Sequence, residues 1–532
     1  MTPNRIQRGR PYTPAMRRLV CVALLLAVVG LAVGRHVAPV AQAAARDAVS
    51  ILVGPPTSLD PAVESDVGSA FFSSQLFEPL TAFDLSLTLR PALARSWDIA
   101  GDGRRIIFHL RAGLVFSDGS SLTGADVVGS WLRVINPRAP SQLASLFMDV
   151  HGAADYMAGR TTDPANVGLS ATGLDVTVDL DRPGADFPSI VASPTFGIVP
   201  PAVWRDGATV GLGTVASSGG YTVAGSSATE ITLKANSHYW AGTPAIGTAR
   251  LVLSIAGRSP VAAFEAGDVD YTDISSADAG WIAYDPVLGP QLRRVQALAL
   301  SYLGFTTDRP PFNDVRVRQA FGAAVDWTRI STLAAGSDQV PAEGMVPPGI
   351  PGAGDGNFLP THDPDLARRL LAEAGYPGGV GLPPIQFAAG GLGPAEAIAA
   401  DLERELGVTI KLEEYDDHFG HLQTDPAPMW SLTWIADYPG ANDFLGVLLG
   451  TGSTNNYGHW SSPAFDSAIT DALATRDPAA AEGFTRALKA VRDDVPVVPL
   501  LNGGGWALSH GTLLGADENG LGILRLAGLA WK

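Results

Sequence analysis

The sequence predicts an α/β protein of two or three lobes, in which mixed sheets are flanked by helices. The chain has 532 residues, more than a single hydrophobic core usually organises. Its 46% hydrophobic and 17% charged residues are typical of a chain that buries cores and not of a disordered one. Short strands with a period of two residues alternate along it with capped helical stretches.

Strands are predicted where apolar and polar residues alternate, or where turn residues bound a short apolar run. The segments RRIIFHLR at 104–111 and LDVTVDL at 174–180 alternate, so we expect half-buried strands of a mainly antiparallel sheet. The further predicted strands are 48–54, 230–235, 249–255, 295–305, 408–414, 429–435 and 495–501.

Three helices have start and stop signals. One begins at Pro394 and ends at Gly407, because proline favours the first turn of a helix and glycine its C-terminal cap. The others are predicted at 314–326 and 363–374. The segment 341–360 is rich in glycine and proline and predicts a long surface loop.

The N-terminal region predicts export. It contains six arginines and no acid through residue 45, and Arg17-Arg18 precede an uncharged run at 19–34 and then Ala41-Gln42-Ala43. This basic, apolar and small-residue order is that of a secretory signal, so residues 1–45 are predicted as a cleaved export segment. The alternative is a retained anchor, since about 16 apolar residues fall just short of a membrane span. In both cases the rest of the chain is expected outside the cytoplasmic membrane, in the periplasm or cell envelope.

The charge balance excludes several classes of function. There are 36 Lys and Arg residues against 53 Asp and Glu, a formal net charge of −17. Loss of the six N-terminal arginines leaves 30 basic residues and a net charge of −23, so a nucleic-acid partner is not expected. No lysine follows a glycine, which excludes a phosphate-binding GK[ST] loop. The single Cys21 excludes an intramolecular disulfide and a multi-cysteine metal site.

Motifs for catalysis, metals or cofactors are not evident in the sequence. It contains no G-x-S-x-G, S-x-x-K or H-E-x-x-H motif, so neither catalytic residues nor an enzyme are predicted. One segment has residues and spacing similar to those of a metal site, namely Asp417, His418 and His421. The favoured interpretation is an acidic turn that caps the following helix. The segment 211–216 imitates a dinucleotide fingerprint without the required strand and helix, and we interpret it as a loop.

Segments typical of one protein family run in order through almost the whole exported chain. They are SLDP (58–61), LFEPL (76–80), RPALARSW (90–97), FHLR (108–111), FSDG (116–119), LTGADV (122–127), SGGY (218–221), Asn236 with Tyr239-Trp240, AGDVD (266–270), PFNDVRVRQA (311–320), ARRLLAEAGY (367–376), WIADYP (434–439) and SSPAFD (461–466). Together they resemble the solute-binding protein family 5 of bacterial ABC importers, the oligopeptide and dipeptide binders. The resemblance implies a two-lobed periplasmic-binding-protein-like fold with an extra subdomain in the first lobe.

The resemblance also implies domain boundaries and partners. The first lobe would be 46–290, with a subdomain at about 84–194, and would be completed by 499–532, while 291–498 would form the second lobe. The chain crossings near 291–298 and 495–501 would act as a hinge. The implied partners are a peptide ligand, a membrane permease and its separate ATPase, with the protein acting as a monomer and without a cofactor.

The segment 429–444 is the strongest candidate for a binding site. A predicted strand runs into the proline-stopped loop that contains Asp437, where a carboxylate can pair with an ammonium group and the strand can bond an extended peptide. In the resembling binders the Asp of this motif holds the peptide amino terminus, which implies Asp437 as anchor. The other implied or rim residues are Thr433, Trp434, Ile435, Tyr438 and Tyr457. The alternative is a structural loop aspartate whose neighbouring aromatic residues belong to the core.

The sequence departs from the oligopeptide-binder pattern in two places. The segment 419–430 lacks Arg and Lys, where some relatives place arginines that meet a peptide carboxylate. Leu500-Leu501-Asn502 stands where an aromatic cluster is common. An oligosaccharide binder, a nickel-chelate or haem binder, a membrane-anchored regulator that has lost transport, and a hydrolase therefore stay open as alternatives.

Overall fold

The computed structural model describes residues 46–532 except 65, 142, 214, 336–338, 355 and 475–477. The predicted export segment lies outside the described residues. In the described part the strands are β1 (Ala48–Leu52), β2 (Thr81–Phe83), β3 (Leu89–Pro91), β4 (Ala94–Ile99), β5 (Arg105–Leu110), β6 (Leu169–Thr172), β7 (Asp175–Asp179), β8 (Tyr221–Ser226), β9 (Glu230–Ala235), β10 (Thr248–Val252), β11 (Tyr271–Ile274), β12 (Leu292–Phe305), β13 (Val340–Pro341), β14 (Ile385–Ala388), β15 (Ile410–Glu413), β16 (Met429–Ile435), β17 (Val497–Ser509), β18 (Leu513–Leu514) and β19 (Ala530–Trp531).

The α-helices in the same part of the chain are α1 (Val67–Leu76), α2 (Gly124–Val134), α3 (Ala153–Met157), α4 (Phe187–Ile190), α5 (Pro201–Trp204), α6 (Pro260–Glu265), α7 (Ser276–Ile282), α8 (Val315–Ala324), α9 (Trp327–Ala334), α10 (Pro364–Glu373), α11 (Ala395–Leu406), α12 (His418–Thr424), α13 (Ala441–Phe444), α14 (Gly446–Leu449), α15 (Pro463–Leu473) and α16 (Pro478–Asp494). Among the described residues, no helix combines the length and the apolar character that a membrane crossing needs.

A large mixed sheet runs through the unit formed by Asp47–Lys532. Its strand order is β15-β14-β16-β12-β17-β11-β1-β10-β9-β8, with β13 also paired to β17. The pairs β1–β10, β1–β11, β14–β15 and β14–β16 are parallel, and the remaining pairs of this sheet are antiparallel. The crossover between the parallel strands β14 and β15 contains α11, since such a connection is usually helical.

The two longest strands, β12 and β17, join the two parts of this sheet. They pair with each other in antiparallel fashion, and β16 lies against β12 while β11 lies against β17. The pairing is interrupted between Gln296 and Leu300 of β12, which face Gly504 and Asn502. Such a bulge bends a strand and turns its backbone groups toward other partners.

A separate antiparallel sheet of order β4-β5-β7-β6 packs against an aromatic cluster. Trp131 of α2 is fully buried and contacts the rings of Phe108, Phe147 and Phe187 edge-on. The start of α2 is fixed by Asp126, whose Oδ2 accepts hydrogen bonds of 2.8 Å from both the amide and the hydroxyl of Thr123.

The predicted elements agree with the observed ones. The strands predicted at 230–235 and 429–435 have the observed bounds of β9 and β16, and β5 alternates in burial as expected. The helix predicted after Pro394 is α11, and Gly407 caps it with a left-handed φ of 67°. The strand predicted at 495–501 is observed as the longer β17, because β11 and β12 pair with its second half. The predicted lobe boundaries stay a prediction.

Removing the indole of Trp131 is expected to destabilise the fold strongly. The change Trp131→Ala should lower the free energy of unfolding by about 3–5 kcal/mol, because it leaves a cavity among tightly packed rings. Trp281→Ala is the matched control, since that side chain is 49% exposed and its loss should change the free energy by less than about 1 kcal/mol. Denaturant unfolding followed by far-ultraviolet circular dichroism measures both, and equal losses would contradict the assignment of the core.

Candidate functional site

One edge of β16 is open next to the candidate site. The strand pairs along its whole length with β12, but β14 pairs with it only at Met429 and Trp430. Among the described strands, none therefore covers residues 432–435 on that side. The carbonyl of Ser431 is already used, since it lies 2.8 Å from Nε2 of His418.

The alternation of hydrogen-bonded and non-hydrogen-bonded pairs between β16 and β12 determines which backbone groups face this open edge. The amide of Ala436 donates to the carbonyl of Leu298 at 2.8 Å, directly beyond the Ile435–Ala299 pair. In an antiparallel ladder this makes Ile435 a non-hydrogen-bonded position, and Thr433 is the next such position along the strand. The N–H and C=O groups of Thr433 and Ile435 consequently point away from β12, toward the open edge.

Asp443 holds the loop that follows β16. Its Oδ2 accepts hydrogen bonds from the indole Nε1 of Trp434 at 3.0 Å and from the amide of Asp437 at 3.1 Å. The side chain of Asp443 is fully buried, and no described residue donates a hydrogen bond to its Oδ1. The Asp443 side chain therefore fixes the start of the loop and the backbone position of Asp437.

A cavity of about 320 Å³ lies beside this edge and loop. Residues of β16, of the loop that follows it, of α12 and of a later loop line one part of the cavity. They are Leu432, Thr433, Trp434, Ile435, Ala436, Asp437, Phe419 and Asn455. Segments far away in sequence complete it, namely Glu64, Asp66, Val67, Ala70, Leu143, Ser193, Pro194, Thr195, Leu521 and Ile523. Its volume is at the lower end of the roughly 300–1,000 Å³ of ligand pockets.

Three carboxylates line the cavity, and they differ in how they are satisfied. Asp66 caps α1, accepting hydrogen bonds from the amide of Ser69 at 2.9 Å and from its hydroxyl at 2.6 Å. Glu64 is 5% exposed and accepts hydrogen bonds from the hydroxyls of Ser73 and Thr195. The Oδ2 atom of Asp437 is buried and has no hydrogen-bond partner among the described residues.

Burial and hydrogen bonding shift the pKa values of these groups in opposite directions. Burial raises the pKa of Glu64 to about 8; the hydrogen bonds from Ser73 and Thr195 oppose the shift, and the nearby charge of Asp437 adds to it. Burial also raises the pKa of Asp437 to about 7 and that of Asp443 well above its usual range. For Asp66 partial burial is outweighed by the hydrogen bonds from Ser69 and Thr57, which lower its pKa. The site thus contains carboxyl groups that lack a compensating positive charge.

The structure brings four of the six predicted site residues to the cavity. Thr433, Trp434, Ile435 and Asp437 line it, as described above. Tyr438 is buried outside the lining, and its hydroxyl donates to Oδ2 of Asp186 at 2.9 Å. Tyr457 is also buried outside the lining, where its hydroxyl donates to Oδ1 of Asn455 at 3.2 Å. These two tyrosines support cavity walls, and their assignment to ligand contact stays a prediction.

Sequence reasoning missed Glu64 and Asp443. Glu64 lies in an irregular stretch about 370 residues before Asp437, and only the tertiary fold brings the two together. Asp443 lies six residues after Asp437, and a second acid so close to a proposed anchor was an available signal. Two arginines of α8 have structural partners. Arg316 pairs with Asp314, and Arg318 donates to the carbonyls of Phe312 and Asp494.

The residues that imitated a metal site have other partners. His418 faces the carbonyl of Ser431, and His421 stacks on the ring of Tyr415 with 3.8 Å between ring centres. Asp417 caps α12 by accepting from the amide of Gly420 at 2.9 Å. In the described part of the chain, no group of three or more His, Cys, Asp or Glu side chains is arranged to hold a metal ion.

Known proteins resemble this chain in sequence and in fold. Residues 88–456 match the family described as bacterial extracellular solute-binding proteins, family 5 Middle. The chain is 28% identical over 476 residues to the probable deoxycholate-binding periplasmic protein YgiS of Escherichia coli (strain K12), covering 84% of this chain and 86% of that protein. It is 28% identical over 467 residues to the periplasmic oligopeptide-binding protein OppA of the same organism, covering 83% and 84%.

A solved structure confirms the predicted fold class. The murein tripeptide binding protein MppA of Escherichia coli superimposes with a TM-score of 0.79 at 22% sequence identity, covering 92% of this chain and 99% of that chain. The mixed α/β architecture with a large mixed sheet is therefore the periplasmic-binding-protein fold.

The stability of the ligand-free protein is expected to depend on the protonation of Glu64. Because its pKa is raised in the fold, the folded state binds this proton more tightly than the unfolded chain. The stabilisation is complete below about pH 4.5 and is lost as the pH rises to about 8, by up to about 1.4 kcal/mol per pH unit. The charged groups that add to the pKa shift of Glu64 are the acids Asp437 and Asp60, and no basic side chain is among the described residues that line the cavity.

The variant Glu64→Gln separates this contribution from all other titrations. We compare the free energy of unfolding of the variant with that of the unmodified protein at each pH. The difference should shift in favour of the variant by at least about 1 kcal/mol between pH 5 and pH 8. The control Glu265→Gln changes an exposed carboxylate. Its free energy of unfolding should depend on pH in the same way as that of the unmodified protein. Urea unfolding at a series of pH values measures the three curves, and parallel curves for Glu64→Gln and the unmodified protein would contradict the buried, uncompensated state of Glu64.

Proposed function

The chain belongs to the bacterial extracellular solute-binding proteins of family 5, and we propose that its ligand is a peptide with a free amino terminus. As a member of this family it is the non-catalytic, solute-binding component of an ABC importer, and a permease is its partner. The names of the relatives above refer to an oligopeptide, a tripeptide and deoxycholate. The ligand therefore has to be argued from the site of this chain.

The buried Oδ2 of Asp437 is the observation that carries the proposal. A buried carboxylate oxygen without a hydrogen-bond donor is costly, and a charge-assisted bond from an ammonium group removes that cost. A peptide amino terminus supplies such a group with three N–H donors. The rigid support from Asp443 suits this role, because a fixed carboxylate loses little conformational freedom when the ligand binds.

The open edge of β16 supports an extended peptide rather than a simple amine. Its free backbone groups belong to Thr433 and Ile435, immediately before the anchor. A ligand strand that enters with its amino terminus at Asp437 can add to this edge by main-chain hydrogen bonds. Recognition through the backbone tolerates different side chains, as expected of a protein that collects peptides.

Capture is proposed to involve closure of two lobes. The proposed boundaries are 46–290 with 499–532 for the first lobe and 291–498 for the second, and Glu64 and Asp437 then lie on opposite sides of the cavity. A ligand that contacts both sides favours the closed form, which a permease can distinguish from the open form. Residues 1–45 are proposed to direct export to the cell envelope, and the protein is proposed to act as a monomer.

The anchor role of Asp437 predicts a selective loss of affinity. Asp437→Asn should weaken binding of peptides with a free amino terminus by about 30-fold or more, because truncating one member of a buried ion pair costs about 2–5 kcal/mol. For the same peptides with an acetylated amino terminus, the already weak affinity should change by less than about threefold. Calorimetric titration with a set of di- to octapeptides measures these affinities.

The matched control is Asp416→Asn, which removes an exposed carboxylate shortly before α12 and outside the cavity lining and should leave both affinities unchanged. Equal losses for free and acetylated peptides would remove Asp437 from the anchor role. Absence of binding by every peptide in the set would overturn the peptide proposal.

A further inference from the structure

The titratable side chains that line the cavity are all acidic. It contains the carboxylates of Glu64, Asp66 and Asp437, and none of the described lining residues is a lysine, arginine or histidine. The arginines near these segments are already paired, since Arg133 forms an ion pair with Asp60 and Arg525 one with the buried Glu78. The cavity therefore has acidic groups in excess and no basic side chain on its described walls to balance them.

Two of the three carboxylates have capacity left for a ligand. Asp66 is the exception, because the hydrogen bonds by which it caps α1 already occupy its carboxylate oxygens. Glu64 receives only two neutral hydroxyl donors, whereas a carboxylate offers about four acceptor positions. Asp437 has its unpartnered Oδ2, a buried atom in a residue that lines the cavity. The charge on Asp437 acts on Glu64 across the cavity, so a positive ligand relieves both groups at once.

Resting on the peptide function proposed above, we propose that the cavity selects cationic ligands, with one ammonium group at Asp437 and a second positive group of the same ligand at Glu64. The substrate class is then a peptide with a free amino terminus and a lysine-like or arginine-like side chain close to it. A free carboxylate inside the cavity would meet two acidic groups and no counter-charge, and with either of them ionised the like charges at short range are unfavourable. The ligand's carboxyl terminus consequently lies outside the cavity or is blocked.

The test compares ligands that differ in charge and hardly in shape. Tripeptide amides with a free amino terminus carry lysine, norleucine or glutamate at the second or third position, with alanine elsewhere. Calorimetric titration at pH 7 should show the better lysine peptide binding at least about tenfold more tightly than its norleucine analogue, and the glutamate analogue more weakly than norleucine. In Glu64→Gln the ratio of lysine to norleucine affinity should fall toward one, while the surface control Glu265→Gln should keep the ratio of the unmodified protein.

The outcomes separate this inference from the peptide function. Equal affinities for the lysine, norleucine and glutamate peptides would overturn charge selection and leave peptide capture standing. A lysine preference that persists in Glu64→Gln would overturn the role of Glu64. If no peptide binds, the same titration with cadaverine, a diamine, and with deoxycholate, an anion, decides the charge question. Binding of cadaverine alone would support a cation-selective cavity whose ligand is not a peptide, and binding of deoxycholate or of neither probe would overturn charge selection.

Discussion

The pairing of β12 with β17 is the constraint on which the site depends. These strands are central in the large sheet, and their hydrogen bonds join strands from distant parts of the chain. The bulge at 297–299 frees the backbone of Leu298, whose carbonyl accepts the amide of Ala436 and whose amide donates to Gly520. The break in one strand pair thus positions the loop that follows β16, together with the C-terminal segment near the cavity wall.

Buried carboxylates give the site its chemical character. A stable core rarely contains an acid without a positive partner, because desolvation favours the neutral form. Here Glu64 accepts hydrogen bonds from two hydroxyls and Asp443 from an indole and an amide, while Oδ2 of Asp437 has no hydrogen-bond donor among the described residues. The fold tolerates this arrangement through local hydrogen bonds, and the remaining electrostatic cost is what a cationic ligand relieves. Stability of the empty protein and affinity for the ligand are therefore set by the same groups.

Much of the fold was predictable because local signals were strong. Alternation defined β5, β9 and β16, and the proline and glycine at the two ends of α11 defined that helix. The cavity was only partly predictable. Thr433 to Asp437 form one continuous segment whose pattern of a strand followed by a loop is visible in the sequence. The inward position of Glu64 depends on Ser73 and Thr195, which are brought to it by α1 and by a loop 131 residues away.

The sequence by itself determined the family resemblance, the acidic balance, the strand that carries the site and the position of Asp437 at its end. These features depend on neighbours within a few residues, so hydrophobic period, turn residues and charge are enough to define them. Only the tertiary structure decided that Asp443 holds the loop and that Glu64 faces Asp437, and it places Tyr438 and Tyr457 outside the cavity lining. Those relations follow from long-range packing and from hydrogen bonds between segments far apart in the chain, which no local pattern encodes.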